Sequence, residues 1–237
     1  MHRFSFILIP GAGGDAWYWH LTAAALGALG HEAIPVPLPA ADENAGLAEY
    51  ASSVVSAIGD RDPRRVVVVA QSLGGFVAPL VCQQRPVGLL VLLNAMIPRP
   101  GETPGEWWAH TGHAEAKRRQ NVRDGRSADA PFDPLVDFFH DVPQPVIDDA
   151  WAQGEPRQSD SIFASRCDFK EWPAVATRIL VGRDDRFLPA DFQRRVAKER
   201  LGMDVDVMPG GHLVALSQPE ELAARLAAFA LEEGHTI

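Results

Sequence analysis

Two segments of this chain are apolar at every position, VVVV at 66–69 and LLVLL at 89–93. A strand with one solvated face alternates apolar and polar residues. A short run with no polar face belongs to a strand buried on both sides. Such a strand needs helices on both faces of its sheet, which implies a layered α/β architecture with crossover connections. The rest of the chain keeps that rhythm. Short apolar strands are predicted at 4–10, 33–36, 65–70, 88–93, 178–181 and 204–208, and helices at 17–29, 44–58, 72–84, 190–201 and 220–231. The helix at 44–58 carries Leu47, Tyr50, Ala51, Val54 and Ile58 at helical spacing. The expected fold is α/β: a three-layer α/β/α sandwich with a mostly parallel sheet of about six strands.

The alternation stops near Ile97 and resumes after about Pro173. The intervening stretch is rich in proline, holds Trp107, Trp108, Trp151 and Trp172, and has no strand pattern. Helical pieces are predicted near 104–120, 134–140 and 144–153. The expected organisation is a core of residues 1–97 and 174–237 with an inserted helical cap at 98–173.

Charge narrows the function classes. The formal net charge is −9, whereas a nucleic-acid binder concentrates basic residues on one face. The basic clusters Lys117-Arg118-Arg119 and Arg194-Arg195 read as solvated helix faces. Cys82 and Cys167 have no metal-type spacing and read as small buried hydrophobes. The apolar run from Phe4 to Ile9 is too short for a signal-peptide core with a cleavage site. No stretch approaches the ~20 apolar residues of a membrane span. The expected protein is cytoplasmic, a monomer or homodimer with a small-molecule substrate, and uses no metal, organic cofactor, nucleic acid or membrane.

The valine run ends in Ala70-Gln71-Ser72-Leu73-Gly74-Gly75 and turns apolar again. A strand, a sharp turn carrying serine with small residues on either side, and then a helix form the context of a nucleophile elbow. Ser72 would project over the carboxyl end of the sheet, beside the N–H groups that open a helix. The plainer reading is a serine that caps the helix. A nucleophilic serine needs a base. Of the eight histidines, His2 and His235 lie near the chain ends, and His20 and His31 lie in or after a helix. His110, His113 and His140 lie in the cap. His212, in Pro209-Gly210-Gly211-His212, follows the last strand and reaches the same sheet edge as Ser72. Asp184 and Asp185 end the preceding strand, and either could orient the imidazole. The first strand ends in Pro10-Gly11-Ala12-Gly13-Gly14, a loop with little side-chain bulk. The N–H of Leu73 and that of Ala12, with Gly13 as fallback, would stabilise an oxyanion. The same loop could suggest a dinucleotide site, but no acidic residue ends the second strand, so NAD is not expected.

The segments ILIPGAGGDAWYW, AQSLGG, VGRDDRFLP and PGGHLVALSQPEEL, which span nearly the whole chain, resemble the α/β-hydrolases. Within them, the chain is similar to the small capped group that contains plant methyl-esterases and hydroxynitrile lyases. In that pattern the aspartate stands four residues before a proline, which selects Asp185, four before Pro189. The resemblance implies a triad of Ser72, Asp185 and His212. Two departures stand out. Pro10-Gly11 replaces the usual His-Gly, removing a side chain that braces the oxyanion loop, and Ala70 replaces a frequent glycine.

The expected chemistry is cleavage of a small carboxylic ester through an acyl-enzyme on Ser72. Thioester or lactone hydrolysis would use the same parts. By the resemblance, a lyase of the hydroxynitrile type would carry a threonine and a lysine where this chain has Gly11 and Leu213. A non-catalytic binder on the same fold is a third reading. Gly11, Gly13, Trp17, Phe76, Trp107 and Trp108 are the expected substrate-lining residues.

Overall fold

The computed structural model describes residues 3–234. His2 and His235 lie outside the described residues. The core elements run β1 (Ser5–Ile9), α1 (His20–Ala28), β2 (Glu32–Pro35), α2 (Leu47–Ile58), β3 (Val66–Gln71), α3 (Gly74–Gln84) and β4 (Leu89–Leu93). Between β4 and β5 come α4 (Pro104–Thr111), α5 (His113–Arg123), α6 (Pro134–Asp137), α7 (Gln144–Ala152) and α8 (Ser161–Ala164). The described residues end with β5 (Thr177–Gly182), α9 (Ala190–Leu201), β6 (Asp206–Met208), α10 (Val214–Ser217) and α11 (Pro219–Gly234).

The six strands form one sheet in the order β2-β1-β3-β4-β5-β6, and every pairing is parallel. Alternate residues of each strand feed two cores, as the pleat requires. Ile7, Ile9, Val66, Val68, Leu90, Leu92 and Val181 pack under α2, α3 and α9, with residues such as Tyr50, Phe76 and Phe192. Phe6, Leu8, Val67, Val69, Leu89, Val91 and Leu180 pack under α1 and α11, with Leu26, Leu222 and Phe229. The valine run is therefore buried on both faces, as its lack of a polar position demanded. The strand order reverses between β1 and β3, so the loops leaving these strands border the crevice where open α/β sheets place their ligands.

Several boundaries differ from the sequence reading. The helix expected at 104–120 is two, because Gly112 adopts φ 65 and ends α4. The helix expected from 44 begins at Leu47, where Glu49 Oε2 accepts the Gly46 N–H at 2.8 Å. The short helices α8 and α10 had no periodicity long enough to reveal them. Among the described residues, 98–173 contain helices and no strand, and no helix is long and apolar enough to cross a membrane.

The segment between β4 and β5 is fastened to the core by buried charge. Glu102 pairs with Arg200 of α9, whose Nη2 lies 3.0 Å from Oε1, and their side chains are 3% and 2% exposed. Burial alone would raise the Glu102 carboxyl. The hydrogen bonds from Arg200, the Arg99 N–H and His110 outweigh it and hold the group below the usual range. Removing one member of such a pair strands the other charge, at a cost of about 3–5 kcal/mol.

Candidate active site

Ser72 occupies the turn between β3 and α3 in a left-handed conformation, φ 51. A non-glycine residue adopts this region at a cost, so the surroundings must impose it. They do so with backbone hydrogen bonds to the exit of β4: Ser72 N–H to Leu93 O at 3.3 Å and Met96 N–H to Ser72 O at 2.9 Å. The two following glycines are required by close approach. A Cβ on Gly74 would lie 2.8 Å from Pro10 O, and one on Gly75 would run into the Met96 carbonyl. Strand β3 extends through Gln71 and α3 begins at Gly74, so Ser72 is not the helix cap; that position is Leu73, without a side-chain bond.

The Ser72 hydroxyl lies 3.1 Å from His212 Nε2, and His212 Nδ1 lies 2.8 Å from Asp185 Oδ2. All three residues are buried. Because the Asp185 carboxylate accepts the Nδ1 proton, Nε2 is left as an acceptor facing the serine. The other carboxylate oxygen, Oδ1, accepts the N–H groups of Phe187 and Leu188, both at 2.8 Å. Asp184 points elsewhere. It pairs with Arg183 at 3.0 Å and accepts the Gly210 N–H at 3.2 Å. Arg183 first, and then the Gly210 N–H, hold its carboxyl low against the effect of burial.

A buried polar layer stands behind these residues. Asn94, at φ 44 just past β4, donates to Gly211 O and His212 O at 3.0 and 3.2 Å and accepts the Gly182 N–H at 2.7 Å. Gln193 Nε2 lies 3.2 Å from Asp185 Oδ2 and 2.6 Å from Leu188 O. Gln71 Nε2 lies 3.3 Å from His212 Nε2. Low local dielectric strengthens such a network once every member is satisfied. The Asn94 amide, just past β4, thus ties the histidine loop to β5.

The loop after β1 faces Ser72. A Cβ on Gly11 would lie 2.9 Å from Ser72 Cβ and run into the Gln71 amide oxygen. Gly13, at φ 88, donates its N–H to Gln158 Oε1 at 2.9 Å. That donor is committed, whereas among the described residues the Ala12 and Leu73 N–H groups have no acceptor in the protein. Gln158 is held by Tyr50 Oη at 3.1 Å and by Ser159 O at 3.1 Å. It braces the loop that lacks a histidine at Pro10.

The expected lining residues divide. Gly11 and Gly13 lie on the loop beside Ser72. Phe76 and Trp107 are fully buried; Phe76 packs in the core under α3, and Trp107 Nε1 donates to Ile97 O at 3.0 Å. Trp17 is half-buried and stacks on His20 at 4.5 Å. Trp108 is half-buried against His113 and Phe187, at 4.7 and 5.8 Å. The rings against the imidazole of His212 are others. Phe138 stacks on it at 4.9 Å and 15°, and Phe187 meets it edge-on at 5.2 Å and 71°. His113 Nε2 donates to Phe187 O at 2.7 Å, and burial pushes its pKa below the usual imidazole range. Nothing local in the sequence marks Phe138, His113, Gln158 or Gln193. Gln71 could have been found, since it adjoins Ser72 on a strand buried on both sides. Among the described residues, no three His, Cys, Asp or Glu side chains gather as a metal would require.

A parallel sheet covered on both faces, with serine at a strained strand-to-helix turn and histidine after the last strand, is the frame of an α/β-hydrolase. A profile described as "Alpha/beta hydrolase family" matches residues 6–225, and the chain belongs to that family. "Probable esterase PIR7A" of Oryza sativa subsp. indica is 34% identical over 110 residues, a match covering 42% of this chain and 42% of the rice protein. "Methylesterase 7" of Arabidopsis thaliana is 26% identical over 253 residues, covering 93% and 94% of the two chains. The crystal structure of polyneuridine aldehyde esterase superposes with a TM-score of 0.75 at 18% identity, over 97% of this chain and 100% of that one.

Proposed function

We propose that this protein hydrolyses small carboxylic esters through an acyl-enzyme on Ser72, and that residues 98–173 act as a cap over the site. The observation that carries the reading is the relay from Ser72 Oγ to His212 Nε2 at 3.1 Å and from His212 Nδ1 to Asp185 at 2.8 Å. His212 Nε2 takes the hydroxyl proton as Ser72 Oγ bonds to the ester carbonyl carbon. The carbonyl oxygen becomes an oxyanion facing the N–H groups of Leu73 and Ala12. Collapse breaks the bond to the alcohol oxygen, which leaves with the proton from His212. A water, deprotonated by His212, then releases the acid and restores Ser72. The esterase names of the rice and Arabidopsis relatives support an ester substrate, and the same parts would serve a thioester or lactone.

A fluorophosphonate probe tests this directly. Ser72 Oγ should displace fluoride from phosphorus, and mass spectrometry should find the adduct on the peptide that contains Ser72. A protein that stays unmodified, or carries the adduct elsewhere, refutes the reading. Gln158→Ala should lower kcat toward p-nitrophenyl butyrate about five- to tenfold, the worth of one lost hydrogen bond on the oxyanion loop. An unchanged kcat would mean that the loop is braced without Gln158.

A further inference from the structure

The loop that carries His212 is weakly specified by its own side chains. It reads Pro209-Gly210-Gly211-His212, and Gly210 sits at φ 111. Its geometry is therefore held from outside. From the core side, Asn94 and Asp184 supply hydrogen bonds to Gly210, Gly211 and His212. From the other side comes a short stretch of the cap just after α6, residues 138–141. Asp141 Oδ2 accepts the Gly211 N–H at 2.7 Å. His140 Nε2 donates to Asp184 O at 3.0 Å, on the loop of the triad acid. Phe138 covers the imidazole face of His212. The fit is close: a Cβ on Gly211 would lie 2.8 Å from Asp141 Oδ1 and 2.8 Å from His140 Nε2.

We propose that Asp141 is a positioning residue: its carboxylate latches the cap to the histidine loop and holds His212 within reach of both Ser72 and Asp185. The bond joins a carboxylate oxygen to a backbone donor in a half-buried site, and carboxylate–amide bonds are short and roughly twice as strong as neutral ones. The other carboxylate oxygen, Oδ1, is buried with no hydrogen-bond partner among the described residues; the nearest ionisable nitrogen, His140 Nδ1, stands 4.0 Å away. A carboxylate in that state is unfavourable for stability alone, and the contact made by Oδ2 explains its presence. The latch also makes the reactive geometry conditional on the cap being seated, since the same stretch touches the acid loop, the histidine loop and the imidazole face.

This proposal rests on the hydrolase reading above. The test compares the second-order rate of fluorophosphonate labelling of Ser72 in wild type, Asp141→Ala and Asp141→Asn. The downfield proton resonance of His212 Nδ1–H and the thermal midpoint are followed in parallel. Asp141→Ala should label about tenfold more slowly, the value of one hydrogen bond lost near the site, with a broadened resonance and a midpoint within a few degrees of wild type. Asp141→Asn keeps an acceptor oxygen and should label within about threefold of wild type. Asp141→Ala labelling at the wild-type rate, or Asp141→Asn labelling as slowly as Asp141→Ala, overturns the latch. Should Asp141→Ala fail to fold, Asp141→Ser, whose shorter side chain withdraws the acceptor from the Gly211 N–H, is read in its place by the same rate and resonance, and a wild-type result overturns the latch. A wild type that does not label at all overturns the hydrolase reading and this proposal with it. A labelled wild type equalled by the variants overturns the latch alone.

Discussion

Replacing Ser72 with alanine should lower kcat/KM toward p-nitrophenyl acetate and butyrate by roughly 10⁴-fold or more. The expectation follows from the burial and strain around the residue. Ser72 is held at φ 51 by hydrogen bonds to Leu93 and Met96, and its hydroxyl faces His212 Nε2 at 3.1 Å. Alanine can adopt that backbone about as well as serine, so the fold should survive while the only oxygen that forms the acyl bond is lost. A residual rate over water should remain, because the N–H groups of Leu73 and Ala12 would still polarise a bound carbonyl. Parallel release of p-nitrophenol by both proteins decides the matter. Equal activity in the two would remove Ser72 from the mechanism.

Asp185→Asn should cost about 10⁴-fold in kcat, the order seen when a triad acid becomes an amide elsewhere. The surroundings explain the size of the effect. One carboxylate oxygen accepts the N–H groups of Phe187 and Leu188; the other accepts from His212 Nδ1 and Gln193. An asparagine has one acceptor and one donor group to place there. Turning its NH₂ toward Phe187 and Leu188 sets donor against two donors. Turning it toward His212 makes Nδ1 the acceptor and moves the imidazole proton to Nε2, which then faces Ser72 and cannot take its proton. The thermal midpoint should change far less than the rate. Steady-state kinetics of Asp185→Asn within tenfold of wild type would dismiss Asp185 as the orienting group.

Much of the architecture was readable from residue order. Val66–Gln71 and Leu89–Leu93 have no polar face, and their neighbours in the sheet run parallel beneath helices on both sides. Periodicity within a window of a few turns is enough for that inference, since it depends only on which side of an element is wet. The turn at Ser72 was legible for the same reason: the small residues that permit a sharp corner lie within a few positions of it. Boundaries slipped where a single backbone angle decides them, as at Gly112.

The brace at Gly13, the amide at Asn94 and the carboxylate at Asp141 were not legible. Their hydrogen bonds join residues 145, 117 and 70 positions apart. No local pattern encodes such a pairing. It exists because β4 lies beside β5 in the sheet and because the helical segment between them folds back over the carboxyl edge. The position of Phe76, expected to line the site, has the same origin. Phe76 lies one helical turn after Ser72 in the chain but turns into the core beneath α3, whereas Phe138 is distant in the chain and is carried onto His212 by the returning segment. Order along the chain specified the layers and the turn that displays the serine. The packing of those layers decided which distant side chains lie against His212 and Asp185, because a contact is set by where two elements meet in space and not by their separation in sequence.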